Sequence, residues 1–310
     1  MVLVGMVLGM AGNAMGYGDD VGHARAADDP AVDIEEPEAP VIAPEIPELE
    51  REPVPLVPKQ KPKEPEGPCP PGMAHAGKFC VDKYEAHLVV TDDEGERVHP
   101  HYLRPEKGVR YEARSEPGFF PQGYINYHES KRACENAGKR LCTWSEWRRA
   151  CQGPRWLRYP YGQKRKDGAC NSNKAHLLSQ FYGDNRGLWT HENFNDPRLN
   201  QEPGYLALTG AYEECVSEFG AYDMVGNLHE WVSNELSRAL LKTLRDEPVK
   251  RMRQPYRLGN GLFLGGFYST LGQHGGGCFF VTYAHEKRYH DYSTGFRCCA
   301  DAQGEDDENG

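Results

Sequence analysis

Ten cysteines fall between Cys69 and Cys299 of this 310-residue chain, and neither flank carries one. An even count confined to one stretch of an exported chain reads as a disulfide framework. Zinc is the alternative, but no CxxC or HxxxH pair occurs, and the neighbours Cys298 and Cys299 suit no zinc ribbon. In a strand, adjacent side chains point to opposite faces, so Cys298 and Cys299 must bond two different partners. Cross-links of this kind can pin long loops, which a compact domain otherwise rarely holds.

The flanks differ from this stretch in charge. Residues 27–68 hold about 12 acidic and 4 basic side chains, and the last ten residues about 5 acids. The formal net charge of −10 therefore belongs to the flanks, and residues 69–300 come out at roughly +4. A domain so close to neutral gives no support for nucleic acid as a partner. Residues 1–26 open with a short apolar run and offer small-residue cleavage signals at Ala14-Met15-Gly16 and Ala24-Arg25-Ala26. That pattern is expected of a signal peptide and is too short to span a bilayer comfortably; a plain apolar leader is the other reading. Residues 27–68 contain about 11 of the 23 prolines, which favours an extended, semi-rigid linker that cannot fold alone. Residues 301–310 read as an acidic, disordered tail. The expected organisation is a leader, a spacer, one disulfide-rich domain over 69–300 and the tail, in a secreted or periplasmic protein with no transmembrane segment once mature.

Within the domain, two helices stand out. Asn126 and Glu129 form a capping-box signature before a helix near Tyr127–Ala137, with Gly138 as its stop. Thr143 and Glu146 repeat that signature, and the second helix ends at Gly153-Pro154. Between them, Leu141 is expected to be buried and to set the angle of the two helices. Strands are expected at 79–83, 262–268 and 294–300, and most of the remainder reads as loop. Gly226-Asn227 is a tight-turn pair whose residues accept positive φ. Glu230, among apolar neighbours, needs a partner if buried.

Four segments in order resemble the formylglycine-generating-enzyme, or sulfatase-modifying-factor, family. Phe79-Cys80-Val81-Asp82-Lys83-Tyr84-Glu85 is similar to its opening strand. Ala137-Gly138-Lys139-Arg140-Leu141-Cys142-Thr143-Trp144-Ser145-Glu146-Trp147 is similar to its "A-G-K-R-L-P-T-E-A-E-W" junction. Phe219 to Val232 resembles "G-L-Y-D-M-x-G-N-V-W-E-W", and Gly265-Gly266-Phe267-Tyr268 with Gly295-Phe296-Arg297-Cys298 resembles the closing "R-G-G-S-W … G-F-R-C". The resemblance covers residues 69–300 and implies an α+β, C-type-lectin-like FGE-sulfatase fold with little regular structure. It further implies the disulfides Cys134–Cys298 and Cys151–Cys278; proximity among the rest suggests Cys69–Cys80, Cys142–Cys299 and Cys170–Cys215. A structural calcium ion is implied at Val225, Gly226, Leu228 and Glu230, with Asn227 shaping the turn, and a second at Asn171 and Asp196. Calcium takes carboxylate and carbonyl oxygens of this kind; an Asn–Glu hydrogen-bond network without metal is the competing reading.

The family's chemistry requires two cysteines that hold copper(I). The matching positions here are Thr270 and Gly275, neither of which ligates copper, so a formylglycine-generating oxidase is not expected. Two function classes follow. One is a binding or scaffold module for an unknown peptide, protein or glycan. Its groove would draw on His274, His285, Glu286, Arg288 and His290, with Tyr283, Tyr289, Tyr292, Phe279, Phe280 and Lys287 supplying aromatic and cationic surface. The other is an iron- or copper-dependent oxidoreductase using the same histidines, since two histidines and a carboxylate can hold non-haem iron(II). No G-x-S-x-G, P-loop or HExxH pattern supports a hydrolase or a nucleotide enzyme.

Overall fold

Asn126 and Glu129 each satisfy the other's backbone. The Asn126 side chain accepts from the Glu129 N–H, and the Glu129 carboxylate accepts from the Asn126 N–H, both at 3.0 Å. This capping box starts helix α1 (Tyr127–Asn136), and Gly138 turns the chain after it at φ +70°. Thr143 and Glu146 cap helix α2 (Trp144–Gln152) in the same way, and Gly153 ends it at φ +66°. The structure, a computed structural model, describes residues 67–93, 95–183, 187–249, 254–271 and 276–303. The expected leader, nearly all of the linker and most of the acidic tail lie outside the described residues, as do His274 and Gly275.

Three sheets of short strands surround these helices. The first runs β1 (Met73–His75), β2 (Phe79–Asp82), β11 (Cys298–Asp301) and β6 (Arg140–Leu141), every neighbour antiparallel. The second runs β10 (Thr294–Phe296), β7 (His229–Glu235), β8 (Gly261–Leu264) and β9 (Val281–Thr282), with β10 parallel to β7. The third is β4 (Gly95–Val98), β3 (His87–Asp92) and β5 (Tyr111–Arg114). Short helices α3 (Leu177–Tyr182), α4 (His191–Phe194) and α5 (Arg238–Asp246) complete the set. No helix among the described residues is long and apolar enough to cross a membrane.

Two strand expectations need correction. The strand expected over 262–268 stops at Leu264, because Gly265 and Gly266 take left-handed φ of +84° and +78°. The strand expected over 294–300 is two strands in two sheets, broken at Arg297. That break lets Phe296 pair with Trp231 while Cys298 pairs with Leu141. The core follows from this joint. Trp147 and Ala150 of α2 pack with Met224, Val232, Leu262 and Leu264. Trp231, Phe263, Phe296 and Leu141 form a second cluster with Leu88 and Ile125. Tyr124, Tyr268 and Tyr292 form a third with Leu177, Leu178 and Leu199.

All ten cysteines are in disulfides: Cys69–Cys80, Cys134–Cys298, Cys142–Cys299, Cys151–Cys278 and Cys170–Cys215. Cys298 and Cys299 reach α1 and the start of α2 respectively, so β11 is stapled on both faces. With Cys134–Cys298 in place, Cys142–Cys299 closes a ring of only roughly ten residues, and the converse holds equally. Replacing either pair by alanines should therefore cost about 2–3 kcal/mol. Replacing both should cost about 1 kcal/mol more than the sum, because the second loss opens a longer loop. Equilibrium urea unfolding of the three variants measures the excess.

Candidate functional site

The Gly226-Asn227 turn sits where no side chain would fit. A Cβ on Gly226, whose φ is +84°, would come 2.0 Å from the Asn171 carbonyl oxygen. The turn is pinned from both sides. The Asn227 N–H donates to the Asn171 carbonyl (2.8 Å), the Asn227 Oδ1 accepts from Asn171 Nδ2 (2.8 Å), and the Gly226 N–H donates to the Gly265 carbonyl (3.1 Å). The Gly265-Gly266 turn is thereby held against it, and a Cβ on Gly265 would strike the Met224 carbonyl at 2.9 Å.

Beneath these turns lies a buried charge cluster. Glu230, Glu85, Asp223 and Arg297 are each at most 3% exposed. Arg297 donates from Nε to Glu230 Oε2 (2.6 Å) and from Nη2 to Glu230 Oε1 (2.7 Å), a bidentate pair. Its remaining donors reach the carbonyls of Asp82 (3.0 Å) and Tyr222 (2.8 Å), and the Trp147 indole donates to Glu230 at 2.6 Å. Glu85 accepts from the Leu228 N–H (3.0 Å) and from Asn227 Nδ2; Asp223 accepts from the Gly210 N–H (2.7 Å). Three carboxylates thus share one guanidinium. Burial, then Asp223 and Glu230, push Glu85 well above the usual carboxylate range. Burial likewise raises Asp223 to about 6, against its Gly210 hydrogen bond and Arg297.

The residues at this turn do not fit the calcium ion implied for Val225, Gly226, Leu228 and Glu230. Both Glu230 oxygens are engaged by Arg297, whose fixed positive charge occupies the place of a cation. Asn171 and Asp196 are not a ligand pair either, since the Asp196 carboxylate is bound to Arg198 and Tyr182. Asn171 Oδ1, buried and without a hydrogen-bond partner, is the one acceptor there that a water or ion could use.

The histidine groove expected from sequence is not assembled. His285 stacks on Tyr289, with centroids 3.9 Å apart, and on Phe263. His290 holds Asn195 Oδ1 through Nδ1 at 2.7 Å and meets His191 edge-on. Burial lowers both to about 4, helped at His290 by Arg104 and His191. Glu286 pairs with Arg257, and Arg288 is exposed. Tyr292 is core, Tyr283 is buried, and Tyr289 donates to Asp291. Phe279 lies under Arg148 and Lys287 reaches Glu235. Among the described residues, no three His, Cys, Asp or Glu side chains group as metal ligands. The aromatic content of 279–292 is demanded by a loop-rich core, which competes with any groove for the same rings.

The concave site lies elsewhere, on the outer side of the glycine turns. A shallow, open cleft, whose roughly 410 Å³ of space is largely continuous with solvent, is lined by Gly265, Gly276 and Gly277. Thr270, Leu271 and Phe280 form one wall, Tyr159, Tyr161, Arg165 and Lys166 the other, and Ser172 and Val225 lie between. Thr270, the residue at the first expected copper position, uses its Oγ1 to accept the Phe267 N–H at 2.9 Å. Cys278 follows the cleft floor and is bonded to Cys151. The Tyr159–Lys166 wall lies outside the groove expected from sequence, although the stretch from Arg155 to Lys166 holds five basic and three aromatic residues and no acid.

Two outcomes follow from the buried cluster. Arg297→Met leaves three buried carboxylates without their cation and should cost about 3–5 kcal/mol in denaturant unfolding, less when combined with Glu230→Gln. Asp223 holds its proton in the folded state up to about 6 and in the unfolded state only to about 4. Between these values the native state binds more protons, so this contribution to stability falls as pH rises through the window. Asp223→Asn, tolerated at φ +57°, should flatten that decline and gain on the order of 2 kcal/mol relative to wild type above pH 7. Urea unfolding from pH 4.5 to 8 reads the slope.

A sequence model described as the sulfatase-modifying factor enzyme 1-like domain (FGE-sulfatase) matches residues 77–302. No curated protein matches the chain. Among solved structures, the chain is similar to the Major Tropism Determinant P3c variant at 14% identity, covering 77% of this chain and 55% of that one, with a TM-score of 0.41. It is similar to PvdO from Pseudomonas aeruginosa at 15% identity over 72% of this chain and 80% of that one, TM-score 0.35. Treponema denticola variable protein 1 aligns at 12% identity over 74% of this chain and 98% of that one, TM-score 0.37. The chain spans little more than half the length of the Major Tropism Determinant variants it matches.

Proposed function

The chain belongs to the sulfatase-modifying factor enzyme 1-like domain family, and within it we propose an exported binding module that has given up the oxidase chemistry. One observation carries this reading: an open cleft lies beside the position matching the first copper cysteine, yet every cysteine of the chain is held in a disulfide. Copper(I) chemistry of the formylglycine-generating kind needs two thiolates at the cleft. Thr270 lines it instead, with its hydroxyl engaged by the backbone of its own turn.

Five disulfides suit an oxidising compartment, which supports a secreted or periplasmic location with residues 1–26 as the export signal. The acidic, proline-rich residues 27–68 then act as a spacer. The lining of the cleft includes the half-buried Tyr161 ring, which is stacked on the buried Tyr159, the hydroxyls of Ser172 and Thr270, and the ion-paired Arg165 and Lys166. Such a surface can hold a ligand by stacking and charge-assisted hydrogen bonds, and among the described residues its lining pairs no nucleophile with an adjacent base.

The test uses the full chain purified without reductant. Titration with copper(I) against a competing chelator should give no thiolate-to-copper absorption, and oxygen uptake with a cysteine-containing peptide should equal the blank. Stoichiometric copper(I) with oxygen uptake would overturn the proposal in favour of a metal-dependent oxidoreductase. For the binding role, a labelled chain on a peptide and glycan array should retain ligands that Ser172→Trp, which fills the cleft, no longer captures. A blank array, or one unchanged by that variant, would count against it.

A further inference from the structure

The wall of the cleft is one loop clamped at both ends. Cys151 and Cys170 open and close it, bonded to Cys278 and Cys215 respectively. Between Arg155 and Lys166 it carries five basic residues and no acid. All five are exposed; Arg165 and Lys166 line the cleft itself, and the other three extend along the same loop. Three have acidic partners: Arg155 pairs with Glu218, Arg165 with Asp167 and Lys166 with Glu214. Arg158 and Lys164 make no ion pair among the described residues.

Aromatic rings are set among these cations. Tyr159 and Tyr161 stack with centroids 5.5 Å apart and planes inclined by 15°. Trp156 is 62% exposed, and its backbone is left-handed at φ +56°. A bulky residue in that region stores strain of order 1–3 kcal/mol, and exposing an indole forgoes burial as well. The Arg149 guanidinium lies 4.7 Å from the Trp156 ring and 5.3 Å from that of Phe219, and so props the indole outward. Two unfavourable features are thus maintained to present one aromatic ring on the loop that also carries Arg158 and Lys164.

We propose that this loop makes the cleft a site for an acidic polysaccharide, a claim that rests on the reading of the cleft as a binding site. A uronate or sulfated sugar ring offers an apolar C–H face to a tyrosine or indole and an anion to arginine or lysine. An acidic peptide fits less well. Strand addition needs a long free edge, and the edge strand β9 has two residues. An acidic peptide remains the rival that the poly-glutamate probe below distinguishes. Nucleic acid would require a longer basic stripe than one loop of a nearly neutral domain.

The experiment is affinity electrophoresis of the full chain in about 0.1 M salt. The probes are polygalacturonate and heparin, with dextran as neutral control and poly-glutamate and oligo-dT as rival polyanions. Binding to at least one anionic glycan and not to dextran is expected. Arg158→Ala with Lys164→Ala should weaken it about tenfold, and Trp156→Ala several-fold, with unchanged melting temperature. No binding to either glycan, or equal binding to poly-glutamate or oligo-dT, overturns the inference. Array ligands lost in Ser172→Trp would in that case leave the binding reading of the cleft standing. Glycan binding lost in the loop variants but intact in Ser172→Trp would instead keep the loop and remove the cleft.

Discussion

The pair between Arg297 and Glu230 is the constraint on which the two larger sheets depend. Arg297 is the residue at which β10 ends and β11 begins, and it is wholly buried. Its side chain turns inward to Glu230 on β7 while reaching the carbonyls of Asp82 and Tyr222. Helix α2 joins through Trp147, whose indole donates to the same carboxylate. A desolvated charge without a partner costs several kcal/mol, so the break in the strand, the position of α2 and the register of β7 have to agree at this point. Burial alone would weaken the hold of Arg297 on its proton, but Glu230, Glu85 and Asp223 more than reverse that. Burial first, and the surplus of acid second, explains why Glu85 and Asp223 hold their protons at unusually high pH.

Around this joint the architecture relies on backbone turns and cross-links more than on long elements. The Gly226-Asn227 and Gly265-Gly266 turns are bonded together, and each approaches a neighbouring carbonyl too closely for any side chain. Such turns leave a flat floor on their outer side. The disulfides Cys151–Cys278 and Cys170–Cys215 fix the loop that walls it. All ten cysteines are thereby held in cross-links, and loops pinned at both ends lose little further entropy if a ligand binds.

Much of the fold was legible because its signals are local. The two capping boxes require only residues three apart, and the helices begin at Tyr127 and Trp144 as Asn126 and Thr143 dictate. The adjacency of Cys298 and Cys299 demanded two partners on opposite faces, and β11 is stapled to α1 and to the β6–α2 junction. The strand ends were less legible. Nothing in the run Thr294–Ala300 distinguishes one strand from two, because the break is caused by a carboxylate about 67 positions away. The candidate site was the least legible. His285 and His290 look alike in sequence, but only the structure shows that one stacks on Tyr289 and the other holds Asn195, and the Arg155–Lys166 loop becomes a cleft wall only after Cys151 and Cys170 close it.

The amino-acid sequence by itself determined the family, the α+β character, the helix starts, the disulfide-rich frame and the acidity of the flanks. These depend on residue identity and short spacings, which need no knowledge of what lies across the molecule. Only the tertiary structure decided which charges are buried, that Arg297 pairs with Glu230, and where the cleft beside Thr270 lies. Desolvation and pairing depend on neighbours brought together from distant parts of the chain, and the energy of a charge changes far more with burial than with its sequence context.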